Sequence, residues 1–433
     1  MRTQLPRQCA IRGWSLLPWV TPMVRMDFLI ALVASTATAN AQSWSAYDAN
    51  TWTPRPESAS GTRRSDPPRF VEIAGGAAHA CALSDDGDVW CWGANNLGQA
   101  GQGTVGAVVR TPSRIASPRR YIAVAAGAMH TCAITTDHAV DCWGFDASGE
   151  LGRGDLSIDC SAGPCSPEPQ PVASLRRFDT VVAGHQHTCA ISSGAAWCWG
   201  NNARGQLGIG DDGDRCAGEV CARAPRRVAT RSSVVTMTAG GAHTCAAVAD
   251  GSTWCWGDNR AGQLGIGQPQ LERAVRPIRV ATDYRFAQLA SGATHTCGLA
   301  TGGAVACWGD NDAGQLGAEF TNRSDVPLRE STRLAWRAVS AGARTTCGVT
   351  DAGETRCWGF GGGGRLGVAP PDSCGPGPCA RRGTVVPGAS RAIRVAVGGT
   401  FACALTTDVV RCWGGAETNV NALEDRRAMP QVE

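Results

Sequence analysis

The sequence predicts an all-β chain, a seven-bladed β-propeller of four-stranded antiparallel blades with one Cys-Cys-bridged hairpin per blade. Three observations carry this. The tripeptide Cys-Trp-Gly recurs seven times, ending at Gly93, Gly144, Gly200, Gly257, Gly309, Gly359 and Gly414, in steps of 50 to 57 residues. A second cysteine stands nine or ten residues before the cysteine of each copy. Two further strand-like runs flank each cysteine pair, so one period holds four strands, the content of a propeller blade.

Each unit opens with a small apolar run ending in glycine, such as Phe70-Val71-Glu72-Ile73-Ala74-Gly75 or Ala287-Gln288-Leu289-Ala290-Ser291-Gly292. The hairpin follows, and its turn fixes the register. In copies one, four, five and six the midpoint is a three-residue loop with glycine third: Asp85-Asp86-Gly87, Ala249-Asp250-Gly251, Thr301-Gly302-Gly303 and Asp351-Ala352-Gly353. That is the composition of a type I turn closed by a left-handed glycine. Copies three and seven are one residue shorter and suit two-residue turns, Ser193-Gly194 and Thr407-Asp408, while copy two centres on Asp137 without the glycine.

This register sets Cys81 opposite Cys91, Cys132 opposite Cys142, Cys189 opposite Cys198, and Cys245 opposite Cys255. It likewise pairs Cys297 with Cys307, Cys347 with Cys357, and Cys403 with Cys412. Facing residues on antiparallel strands have the Cα separation of about 5 Å that a disulfide tolerates. Trp92, Trp143, Trp199, Trp256, Trp308, Trp358 and Trp413 each face an Ala or Thr, on the sheet face opposite the cysteines. Two residues before the first cysteine of copies one to five stand His79, His130, His187, His243 and His295; Thr345 and Phe401 take that place in the last two. A proline-marked run such as Pro277-Ile278-Arg279-Val280 closes the unit, proline favouring an outer edge. The last copy ends on Met429-Pro430-Gln431-Val432, so seven blades fill residues 69–433.

The succession Gly-x-x-His-Thr-Cys, Cys-Trp-Gly-x-Asn and Gly-Gln-Leu-Gly resembles the regulator of chromosome condensation repeat family. Gly-Gln-Leu-Gly stands at 205–208, 262–265 and 314–317, and in varied form at 98–101, 149–152 and 364–367. The resemblance runs from residue 69 to the end and implies a seven-bladed propeller. With its paired cysteines, the chain resembles secreted bacterial relatives rather than the nuclear founder.

The N-terminus reads as targeting. Arg25 precedes Phe28-Leu29-Ile30-Ala31-Leu32-Val33-Ala34 and then Ala39-Asn40-Ala41, the charged start, apolar run and small-x-small site of a signal peptide. Residues 1–41 are expected to be removed, and the apolar run is too short to span a bilayer. Residues 42–68, rich in Pro, Ser and Arg, read as a linker. Of 21 cysteines, Cys9 falls in the removed segment, and six outside the hairpins form Cys160/Cys165, Cys216/Cys221 and Cys374/Cys379 in the longer blades. An even set in an exported chain points to disulfides. All 40 basic residues are Arg, and beyond residue 41 there are 36 Arg against 36 Asp and Glu. No net field tracks a phosphate backbone, so no nucleic-acid partner is expected.

The five histidines are the natural metal candidates, since imidazole suits zinc or copper. Each belongs to a different blade, which favours a hydrogen-bonded structural role. The three Cys-x4-Cys pairs read as local bridges rather than zinc half-sites. Asp211-Asp212-Gly213-Asp214 and Asp310-Asn311-Asp312 lack the terminal Glu of a calcium loop, and Gly361-Gly362-Gly363-Gly364 lacks the Lys and Ser/Thr of a phosphate loop. No catalytic, cofactor or metal residue is assigned. The insertions at 155–169, 211–224 and 369–384 are what breaks the repeat, and such loops point to binding. The expectation is a secreted, non-enzymatic, monomeric scaffold for a protein partner, placed in the medium, the periplasm or on the cell surface. The resemblance implies an alternative, a guanine-nucleotide exchange factor-like regulator. A third reading resembles secreted propellers that inhibit β-lactamases, and a fourth a metal-dependent lyase propeller.

Overall fold

The structure, a computed structural model, describes residues 68–415 apart from 155–158, 161–162, 217, 320 and 408. Seven antiparallel sheets follow one another along the chain. The first runs β1 (Phe70–Gly75), β2 (His79–Ser84), β3 (Val89–Gly93) and β4 (Val109–Arg114), paired in that order. Blades four and five repeat the four strands. Blades two, three and six gain a fifth, because their insertions form short hairpins that add a strand (Asp159–Cys160, Asp214–Cys216, Asp372–Cys374) outside the fourth. The outer strand expected to be the edge is therefore internal in those three blades. Blade seven shows three strands, Ala392–Val397, Phe401–Thr406 and Val410–Gly414. The strand expected at 429–432, the signal segment 1–41 and nearly all of the linker 42–68 lie outside the described residues.

The hairpins adopt the register the turns dictate. Cys81 pairs with Cys91, Trp92 with Ala80 and His79 with Gly93, and the equivalents hold in the other six blades. Gly87, Gly251, Gly303 and Gly353 hold φ between 78° and 86°, closing the three-residue turns. His138, at φ 66°, takes the glycine's place in blade two, and Ser193 and Gly194 both turn left-handed in blade three. Each facing cysteine pair is bridged with its Cα atoms 4.0 to 4.1 Å apart. That is closer than the 5 Å expected from facing strands. The reason is that Ser84 N bonds Asp88 O, which leaves Cys81 and Cys91 a non-hydrogen-bonded pair, the tighter kind.

The innermost strands surround the axis. Ala77 N bonds Ala128 O of the next blade at 3.3 Å, Ala128 N bonds Gly184 O at 3.1 Å, and Gly399 N of the last blade bonds Gly76 O of the first at 3.0 Å, closing the ring. Such close approach needs glycine: a Cβ on Gly76 would lie 2.6 Å from Gly127 O. Because β1 and β3 run one way and β2 and β4 the other, two faces result. The start of β1, the β2–β3 turn and the end of β4 share a turn face. The glycine end of β1 and the long β3–β4 loop share a loop face.

Candidate functional site

The most ordered chemistry lies in the seams between blades. Along β2, alternation sends neighbouring residues to opposite neighbours, so one tripeptide serves two seams. His79 Nε2 lies 2.9 Å from Thr131 Oγ1 of the next blade. His130 meets Thr188 at 2.9 Å, His187 meets Thr244 at 2.9 Å, His243 meets Thr296 at 2.8 Å, and His295 meets Thr346 at 2.9 Å. Each threonine hydroxyl donates its single proton onward, to the main-chain carbonyl of the preceding blade's Gly-Gln-Leu-Gly loop. Thr131 donates to Gln99 O at 2.9 Å, and Thr244 to Gln206 O at 2.8 Å. The threonine must then accept from the ring, which fixes each imidazole as the neutral Nε2–H tautomer.

The tryptophan beside each threonine shares that carbonyl. Trp143 Nε1 donates to Gln99 O at 3.1 Å, Trp199 to Glu150 O at 2.9 Å and Trp256 to Gln206 O at 2.9 Å. Trp308, Trp358 and Trp413 do the same to Gln263 O, Gln315 O and Arg365 O. The loop holds its carbonyl in place with its own side chain: Gln206 Oε1 accepts from Arg204 N at 2.9 Å, and Asn202 Oδ1 from Leu207 N at 3.1 Å. A Cβ on Gly208 would stand 2.8 Å from Trp256 Nε1, which explains the last glycine of the motif. In blade two Glu150 replaces the glutamine, and burial raises its carboxyl to about 8, so it is protonated and amide-like near neutrality.

All five seam histidines are fully buried, and their Nδ1 atoms have no partner. Loss of hydration pushes the His79 ring down to about 4 and the rings of His130, His187, His243 and His295 to about 3. The five rings are separated seam by seam. Among the described residues no group of three or more His, Cys, Asp or Glu is placed to hold a metal ion. Cys160–Cys165, Cys216–Cys221 and Cys374–Cys379 are bridged within their own blades, so the two in adjacent blades do not combine. Asp211 pairs with Arg273 at 3.2 Å, and 362–364 form one short 3-10 turn. The axial cavity, lined by Gly76, Gly127, Gly184 and their equivalents with His185 at its rim, holds about 60 Å³. Ligand pockets run to about 300 Å³ or more, so a drug-sized molecule does not fit.

Sequence reasoning placed His, Trp and Cys but missed the threonines and the loop carbonyls that join them. A signal was present. Each blade has the histidine where the next blade has the threonine; Thr345 is followed in the next blade by Ala402, and Phe401 faces the blade with Ala80. Trp92, at that last junction, is the only repeat tryptophan with an unpartnered Nε1 among the described residues.

Three kinds of comparison agree with this architecture. The chain is 33% identical over 253 residues to the ultraviolet-B receptor UVR8 of Arabidopsis thaliana, covering 58% of this chain and 55% of the receptor. It is 32% identical over 231 residues to the probable E3 ubiquitin-protein ligase HERC6 of Homo sapiens, covering 52% of this chain and 22% of the ligase. The chain thus spans about half the length of the first relative and less of the second. The solved structure of Prp20p from Saccharomyces cerevisiae matches at TM-score 0.65 and 21% identity, over 80% of this chain and 82% of that one. Human WBSCR16 matches at TM-score 0.64 and 20% identity, over 80% and 91%. The RCC1 repeat model matches residues 286–315 and the RCC1-like domain model residues 36–281, more than half of the sequence, so the chain belongs to the RCC1-like family.

Proposed function

We propose that the protein is a secreted, disulfide-stabilised scaffold that binds another protein and does no chemistry itself. The observation that carries this is the set of three bridged hairpins, which widen blades two, three and six at the loop-face end while the seams keep the repeat. A loop stiffened by its own bridge loses less entropy on binding. Ten bridges suit an oxidising compartment, and the signal-like segment supports export. The test is affinity capture with the oxidised protein from the envelope and medium of its own host, read by mass spectrometry. Capture of a defined protein, lost when residues 155–169 are deleted, is the expected result. Capture unaffected by that deletion counts against the hairpins, and turnover of a substrate counts against the scaffold.

A further inference from the structure

The chain has almost no net charge, but its arginines are unevenly placed. Arginine directly precedes the innermost strand in four blades, at Arg69, Arg120, Arg285 and Arg391, and Arg177 stands three residues before that of blade three, all on the turn face. In blade one much of this charge is answered: Arg114 and Arg120 both pair with Asp88. Across blades three and four it is answered only in part, by Asp250 beside Arg279 and Arg285. The outer strands there end at Arg227 and Arg279, the first preceded by Arg226, and the connections into the innermost strands carry Arg176, Arg177, Arg231 and Arg285. Against these, the same sector has Asp179, Asp250 and Asp283. Two of those carboxylates are occupied locally, Asp179 by Ser193 N and Asp250 by Ser252.

Two tryptophans sit among these arginines. The Arg176 guanidinium stacks 3.8 Å from the centre of Trp197, and Trp197 lies beside Arg227 in the sheet. One blade on, Arg231 lies 5.7 Å over Trp254, which is beside Arg279. Both rings are partly exposed, and Trp197 Nε1 has no partner. Leu175, next to Arg176, is fully exposed, and Val235, at the start of the innermost strand of blade four, is 54% exposed. Arginine and tryptophan beside exposed apolar side chains are the composition of a protein-binding hot spot.

We propose that blades three and four carry, on the turn face, a docking surface for an acidic protein segment with an apolar side chain at its centre. The proposal rests on the protein-binding reading but places contact on the face opposite the bridged hairpins. Guanidinium groups match carboxylates through paired N–H donors. The interspersed aspartates disfavour a uniformly charged phosphate backbone, and the exposed Leu175 and Val235 ask for an apolar counterpart.

The test uses a fluorescein-labelled Glu-rich peptide carrying one Leu, followed by anisotropy with the full oxidised chain. Binding is expected to weaken as salt rises from about 50 to about 200 mM. It is expected to fall at least about tenfold in R226E/R279E, whose side chains are exposed, and to persist in R204E on the loop face. Equal binding by R226E/R279E, no binding by the wild type, or preference for a single-stranded oligonucleotide or for phosphatidylcholine–phosphatidylglycerol vesicles overturns the proposal. A host protein captured equally well by R226E/R279E overturns this surface and leaves the scaffold intact; failure to capture any protein removes the scaffold itself.

Discussion

Mild acid is expected to destabilise the propeller through its seam histidines. Each ring has a folded pKa near 3 to 4 against an ordinary value of 6.5, so its contribution is fully present above 6.5 and is lost as the pH falls toward the folded value. In that window these five rings together bind five more protons in the unfolded chain than in the folded one, by themselves a slope of about 7 kcal/mol per pH unit at about 1.4 kcal/mol per proton. Carboxyls raised by burial act the other way, Asp141 and Asp310 among them and two glutamates most strongly. Glu150, raised to about 8 mainly by burial, and the half-covered Glu72, raised to about 7 by the same cause, are protonated earlier in the folded state, so they gain stability as the pH falls toward 4.5. Integrating these opposing terms from about pH 6.5 to about pH 5 leaves a net loss of about 5 kcal/mol, comparable with the whole stability of a modest domain. Urea unfolding followed by tryptophan fluorescence, with the bridges intact, reads the loss, and its slope against pH counts the protons. His243→Gln keeps a donor for Thr296 and removes one ring, so its slope is about 1.4 kcal/mol per unit shallower. Stability that is flat across this range, or an unchanged slope in His243→Gln, would refute the account of buried, neutral rings.

Three further outcomes are expected. Thr244→Val removes both the acceptor for His187 and the donor to Gln206 O, and is expected to cost about 2–4 kcal/mol by urea midpoint. Gly208→Ala, at φ 69° and against Trp256, is expected to cost about 2 kcal/mol or more, whereas alanine at Gly302, which has nothing near it, leaves the midpoint close to that of the wild type. The double variant Cys245→Ala/Cys255→Ala opens a bridge ten residues apart and is expected to lose about 3 kcal/mol in the same assay.

The hairpins were readable because turn length and glycine position determine which residues face each other, and two loop lengths gave one cysteine pairing. What a blade presents to its neighbour was not readable in the same way. Strand alternation tells that His243 and Thr244 leave on opposite sides, but not that each finds its partner about fifty residues away. That partnership shows in the sequence only when adjacent copies are compared with an offset of one. The fifth strands were read as loops because Cys-x4-Cys has too few residues for a periodic pattern. The arginine-rich sector was hidden by the overall balance of charge, since it depends on which strand ends the fold gathers on one face.

The seams are not alike, and this gives the ring a mechanical polarity. Five junctions carry the histidine–threonine link, while the last blade meets both its neighbours without it. Under tension the circle is expected to part along the borders of that blade rather than elsewhere. A circular permutant opened between the third and fourth blades keeps the His187–Thr244 link across its new ends, whereas one opened at a border of the last blade has no such link to hold them.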